Sequence, residues 1–406
     1  MTIKNISGGV CAPKGFKAAG MHCGVRKNHS KKDIAMIFCD VPCSAAAVYT
    51  QNKVYGAPIT VTRKNLENGI AQAVVCNSGN ANTANLDGVE KAQAMSDLTA
   101  KALGISSADV IVASTGVIGQ SLDLEPITYG INELPKLLSS DGGNDAALAI
   151  MTTDTKVKEI ALEVEIDGKP VRFGAIAKGS GMIHPNMATM LSFITSDVAI
   201  TPEMLSKALK AVVGDTYNMI SVDGDTSTND MVSVMASGLA GNEKITAEGD
   251  GYNAVVAALR EIGIYMARMI AGDGEGATKL LTCNLSGAKD VTSAKIIAKS
   301  VIASSLVKAA MFGADANCGR VLCAMGYSGE DFNPSKVTVW FESGAGQIKV
   351  CEQGCGLKFD EDLAKKVLLE KEIIIRIEMG EGAGEATAWG CDLTYDYVKI
   401  NGDYRT

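Results

Sequence analysis

Catalytic chemistry in this 406-residue chain is constrained first by a shortage: three histidines, His22, His29 and His184, are all that a Ser-His-Asp or Cys-His arrangement could draw on. His22 and His29 lie in a polar stretch, and no G-x-S-x-G elbow occurs anywhere in the chain. Pro185 biases the backbone at His184 toward an extended form, so its ring need not face a neighbouring hydroxyl. All three read as ordinary surface or loop histidines, and the residues argue against a histidine-driven hydrolase.

Thr189, in "KGSGMIHPNMATML", has a route that needs no histidine. A threonine hydroxyl is a poor nucleophile without an adjacent base. Cutting the Ala188–Thr189 bond would supply one, because the new α-amine has an ordinary pKa of about 7.7–8.0 and sits on the same residue. Gly179, Gly181 and Pro185 suit a constrained turn before such a bond. From the residues alone, a small side chain at the entry to a strand is an equally complete description of Thr189.

Three other stretches carry polar chemistry. "ASTGVIG" places the Thr115 hydroxyl beside the Gly116 N–H, the equipment of an oxyanion hole, although the same tripeptide serves in ordinary turns. "VDGDTSTNDMVS" begins like a calcium loop at Asp223, Asp225 and Ser227. It has Thr228 where the sixth-position glycine belongs and Val234 where the glutamate belongs, so it reads as a polar loop between strands. "GDGEGATK" precedes a strand instead of following one, which excludes a phosphate loop and leaves Glu275 as a lone carboxylate among glycines.

The elements that must position these residues are those of an α/β protein. Short apolar runs ("DIAMIFCDVP", "AQAVVCNSG", "ADVIVASTG") end on Gly, Pro or Ser and read as buried strands. "DGVEKAQAMSDLTAKALG" has helical spacing and a terminal glycine. Asp167-Gly168 marks a hairpin, and Thr201-Pro202 starts a helix. A long helix spans about 251–271 and leads through the Glu275 loop into the strand "LLTCNLSGA". From about residue 290 a further α/β unit follows, closing on an expected strand "CDLTYDYVKING".

A net charge of −8 and 5% aromatic content argue against nucleic-acid binding. No apolar run reaches transmembrane length, and the N-terminus lacks the apolar core of a secretory signal. Eleven scattered cysteines, without a C-x-x-C pair or a nearby histidine to complete a zinc site, read as reduced and mostly buried thiols of a cytoplasmic protein.

The stretch 178–191 resembles the self-cleavage motif of the ornithine acetyltransferase family, the bifunctional glutamate N-acetyltransferases of arginine biosynthesis. "STGVIG", "MTTDT", "SVDGDTSTND", "AGDGEGATK", "GADANCGR" and "NGDYRT" resemble further family segments in the family's order, across essentially the whole chain. The resemblance implies an α/β fold of the self-cleaving N-terminal-threonine-nucleophile kind, with a layered α-β-β-α core and a smaller C-terminal α/β subdomain at about 290–406. It implies cleavage between Ala188 and Thr189 into an α chain (1–188) and a β chain (189–406), assembled as an α2β2 heterotetramer. Thr189 would then carry an acetyl group from N2-acetylornithine to glutamate, with Thr115 and Gly116 stabilising the oxyanion. Thr152 or Thr153, Lys178, Thr189, Glu275, Asn401 and Thr406 would hold substrate. The resemblance implies no cofactor and no metal, with acetyl-CoA a further candidate donor. A self-cleaving aminopeptidase or amidase of the same superfamily is the alternative.

Overall fold

The computed structural model describes residues 2–184 and 190–403. In chain order the elements are β1 (Ile3–Ile6), β2 (Phe16–Met21), β3 (Ile34–Tyr49), α1 (Ala57–Asn65), β4 (Ile70–Asn80), α2 (Gly88–Leu103), β5 (Val110–Val117), α3 (Leu124–Leu137) and α4 (Gly143–Ile150). Next come β6 (Lys158–Ile166), β7 (Lys169–Lys178), β8 (Leu191–Ser196), α5 (Pro202–Val213), β9 (Ile220–Ser221), β10 (Met231–Ala236), α6 (Asp250–Gly272) and β11 (Leu280–Ala288). The remainder is α7 (Val291–Ala303), α8 (Ser305–Phe312), α9 (Cys318–Gly326), β12 (Thr338–Ser343), β13 (Gly346–Glu352), β14 (Cys355–Gly356), α10 (Glu361–Leu368), β15 (Glu372–Glu378), β16 (Gly384–Cys391) and α11 (Tyr395–Asp403).

Local chemistry explains several boundaries. The β6–β7 hairpin turns on Asp167 and Gly168, both with positive φ (53° and 70°), as a two-residue turn matched to strand twist requires. Helix α5 begins with the Thr201 hydroxyl accepting from the Met204 N–H and Pro202 in the first turn.

A nine-stranded sheet runs β1-β6-β7-β8-β10-β3-β4-β5, with β2 also paired to β3. Alternation along its strands splits the core. Leu191 and Phe193 of β8 and Met231 and Met235 of β10 bury on one face, against α4 and parts of β3 and β4. Ile194, Val232 and Val234 bury on the other face, in a core shared with α5, α6 and the second sheet. Helix α6 packs on β6 and β7 of the first sheet and on β11 and β16 of the second.

The second sheet, ordered β14-β13-β12-β15-β11-β16-β9, joins the strands that follow residue 290 with β9 and β11, which precede it. The expected closing strand "CDLTYDYVKING" is a correction: β16 ends at Cys391, and residues 395–403 are helix α11. Alternating Tyr and Val suggested a strand, but Tyr395 and Val398 are exposed, while the i,i+4 pair Tyr397 and Asn401 turns back toward the body. Asp392 accepts from the Thr278 and Lys279 N–H groups and ends the strand there.

Among the described residues all eleven cysteines are free, seven of them buried. No described helix is long and apolar enough to cross a membrane.

Candidate active site

Strand β5 carries Thr115 and Gly116 at its end, where β4 and β5 lose their regular register at Gly79–Asn80. Gly116 has φ 130°, and a Cβ there would fall 2.3 Å from the Gly79 carbonyl carbon. Only glycine fits this close backbone approach. The adjacent Thr115 is buried, and the Lys178 ammonium at the end of β7 donates to its Oγ1 at 3.4 Å. Two residues far apart in sequence thus meet at the strand ends.

Lys178 is itself buried. Burial pushes its ammonium below the usual lysine range; Asp154 opposes that shift and Lys158 reinforces it. Burial would also raise the Asp154 carboxyl, but Lys158 and then Lys178 hold it well below the usual range.

This charge network fixes the chain on both sides of the site. Lys158 is fully buried and donates to Asp154 at 2.7 Å and to Asp273 at 2.6 Å. Asp154 accepts from the Gly179 N–H at 2.7 Å and from the Thr152 N–H at 3.0 Å. Asp273 accepts from Thr155, through its N–H and its hydroxyl. The Asp273 carbonyl takes the Ser180 hydroxyl at 2.7 Å, and the Ser180 carbonyl takes the Glu275 N–H at 3.0 Å. One buried lysine therefore ties the "MTTDT" segment, the run from Lys178 and the Glu275 turn together.

Glu275 is buried against Gly181: a Cβ on that glycine would fall 2.3 Å from the carboxyl carbon. Asn401 of α11 donates to Glu275 Oε2 at 2.7 Å. Of the expected residues, then, Thr115 meets Lys178 and Glu275 meets Asn401, while Thr152 joins through Asp154. Thr153 is half-buried beside Thr152. Ala188, Thr189 and Thr406 lie outside the described residues.

The 223–230 loop is a polar loop between strands, as its sequence indicates, and it frames the site. Asp223 accepts from the Met182 and Ile183 N–H groups at 2.6 and 2.9 Å, and the Thr226 hydroxyl donates to the His184 carbonyl at 2.8 Å. Asn229 donates to the carbonyls of Ala81 and Ser114, holding the strand that carries Thr115. Asp230 is buried with Oδ2 lacking a hydrogen-bond partner among the described residues, and burial raises its carboxyl well above the usual range. His184 shares a hydrogen bond with Ser221 at 3.1 Å, and burial, with Lys299 adding to it, depresses its pKa to about 4.

Sequence reasoning missed Asp154, Lys158, Asp273 and Asn229. A signal existed for one of them: Lys158 keeps step with Leu162, Val164 and Ile166 on the inward face of β6, where a lysine needs buried carboxylates.

Comparison with known proteins shows the family of the chain. Residues 17–406 match the ArgJ family. The arginine biosynthesis bifunctional protein ArgJ 1 of Clostridium acetobutylicum is 50% identical over 392 residues, covering 96% of each chain. The arginine biosynthesis bifunctional protein ArgJ of Symbiobacterium thermophilum is 51% identical over 403 residues, covering 99% of each. The crystal structure of the arginine biosynthesis bifunctional protein argJ from Bacillus halodurans is 46% identical with a TM-score of 0.51, and the match covers 53% of this chain and 100% of that one.

Proposed function

The chain belongs to the ArgJ family, and from that premise we propose that it moves an acetyl group from N2-acetylornithine to glutamate through an acetyl ester on Thr189. The enzyme is an acetyltransferase of arginine biosynthesis. The observation that carries the mechanism is the Lys178–Thr115 contact beside the Gly116 bulge.

Because Lys178 donates to Thr115 Oγ1, the threonine's own proton is left to point at an acceptor, and the charged donor strengthens it. Together with the Gly116 N–H it stabilises the oxyanion that forms when Thr189 attacks the acetyl carbonyl. The α-amine freed by cleavage takes the hydroxyl proton and returns it to the departing ornithine nitrogen. Glutamate's amine then attacks the ester by the reverse path. Glu275, with Asn401, takes the ornithine ammonium; Lys178 and Thr152 or Thr153 face the carboxylate side, and Thr406 completes the substrate contacts.

Cleavage between Ala188 and Thr189 has two supports. The share of this chain matched by the complete Bacillus halodurans chain is about the share that residues 189–406 make up. The two pieces would also stay locked together, since β8 and β10 of the second lie between β7 and β3 of the first in one sheet. Two such pairs form the α2β2 assembly, read by light scattering as twice 42.3 kDa. Acetyl-CoA is a second donor in this reading, and the enzyme works in the cytoplasm without a bound cofactor.

Initial rates with acetylornithine and glutamate varied together test the proposal. Parallel double-reciprocal lines and stoichiometric acetylglutamate are expected. Acetylornithine consumed at the same rate without glutamate would replace it with the amidase reading. Acetylglutamate formed from acetyl-CoA alone tests the second donor.

A further inference from the structure

The substrates of the proposed reaction differ in charge. Acetylornithine and glutamate carry carboxylates and amines, whereas acetyl-CoA carries phosphates at the end remote from its acetyl group. A cavity of about 540 Å³ lies where β3 ends, lined also from α1 and α5, and its size suits a small-ligand site.

Three cations line this cavity: Lys53 in the link after β3, Arg63 in the last turn of α1 and Lys210 in the last turn of α5. Cations are ordinary in last helical turns, but these converge on one cavity in a chain whose net charge is −8. No carboxylate lines the cavity, and none of the three cations pairs with a described carboxylate. Glu67 and Glu203 line the adjoining groove, beyond ion-pair reach of Arg63. The Arg63 guanidinium lies 5.0 Å from the Tyr49 ring centroid and 5.2 Å from that of Tyr55, and no described residue accepts from its N–H groups. A guanidinium held by two rings in this way offers a planar fork that suits phosphate oxygens. The cavity wall also rests on the loop that frames the active centre. Thr50 donates from its N–H to the Asp230 carbonyl at 3.0 Å and from its hydroxyl to the Ser227 carbonyl at 2.8 Å. The Asn52 amide donates to the Thr226 carbonyl at 2.9 Å.

We propose that Lys53, Arg63 and Lys210 form a phosphate-binding site that holds the nucleotide end of acetyl-CoA. This rests on the reading of acetyl-CoA as a second donor. Three cations without carboxylate partners suit a polyanion, which neither acetylornithine nor glutamate is. In the step served, the Thr189 oxygen bonds to the acetyl carbon, the thioester C–S bond breaks and the hydroxyl proton leaves on the CoA thiol. The cavity contributes binding to that step and bears on one donor only.

The test uses the mature enzyme and Arg63→Gln, with glutamate as acceptor. The donors are acetyl-CoA, the acetyl thioester of pantetheine, which lacks the phosphates, and acetylornithine. Loss of a charged hydrogen-bond partner should raise the KM for acetyl-CoA about 10-fold. The KM values for acetyl-pantetheine and acetylornithine should change at most about 2-fold, which also shows that the variant is folded. Lys210→Gln, on a different helix, should shift the acetyl-CoA KM in the same direction. The adenosine bisphosphate portion of CoA alone should compete with acetyl-CoA and weaken by the same factor in Arg63→Gln. An unchanged acetyl-CoA KM in both variants, or an equal rise for both thioesters, overturns the proposal. If the adenosine bisphosphate loses affinity while the acetyl-CoA KM stays, the cavity serves a free nucleotide and the proposal fails. An unmodified enzyme that uses neither thioester sinks the second-donor reading, and with it this use of the cavity.

Discussion

The two ends of the site are built differently. Thr115, Gly116 and Lys178 sit on strands β5 and β7, locked by a backbone bulge and by a buried ion network centred on Lys158. Asn401 sits on α11, which buries none of its residues and reaches the site through a few side-chain hydrogen bonds. Donors that stabilise developing charge gain from rigidity, because they need no reorganisation during reaction. A contact that only holds a substrate makes no such demand on the element that carries it. In the function proposed above, the contrast would divide chemistry on the sheet from substrate holding on the helix.

Replacing Thr189 by Ala removes the nucleophile from both processes and is the largest expected effect. The chain should run as one uncut band, with transfer reduced on the order of 10⁶-fold. Two bands from this variant would place the cleavage elsewhere.

Next in size is the network beneath the rigid half. Lys158→Met leaves Asp154 and Asp273 buried without their shared cation, which costs about 3–5 kcal/mol. Urea titration should show the lowered midpoint, and a wild-type curve would mean that the network does not organise the site.

Thr115→Ala should lower kcat about 10²–10³-fold with the KM for acetylornithine nearly unchanged. Asn401→Ala should do the opposite, raising that KM about 10-fold with kcat preserved. If both variants lose kcat equally, the division between sheet and helix is wrong.

The smallest effect concerns His184. Its folded pKa of about 4 lies below the usual 6.5, so the unfolded chain takes up the proton first. Stability from this group is therefore complete above pH 6.5 and falls as pH drops toward 4. Melting temperatures at pH 6.5 and 5 should differ less in His184→Gln than in the wild type, and identical slopes would remove the histidine from the account.

Element boundaries were readable in the sequence where their signals are local. Asp167-Gly168 and Thr201-Pro202 act within a few residues, and "STG" ends an apolar run where a strand must stop. The helix was misread because "TYDYVK" offers alternation without its environment; only the hydrogen bonds of Tyr397 and Asn401 with Asp223 and Glu275 settle its period. Lys158, Asp154 and Asp273 could not be grouped from sequence, since 115 residues separate the lysine from Asp273.

The central claim is that Thr189 becomes N-terminal and carries the acetyl group. Incubating the purified enzyme with acetylornithine and no acceptor, quenching in acid and mapping peptides by mass spectrometry tests it directly. The account predicts a peptide beginning at Thr189 that carries one acetyl group on its hydroxyl, lost when glutamate is added before the quench. A continuous peptide running through Ala188 and Thr189 in fully active enzyme, or acetyl on another residue, would contradict it.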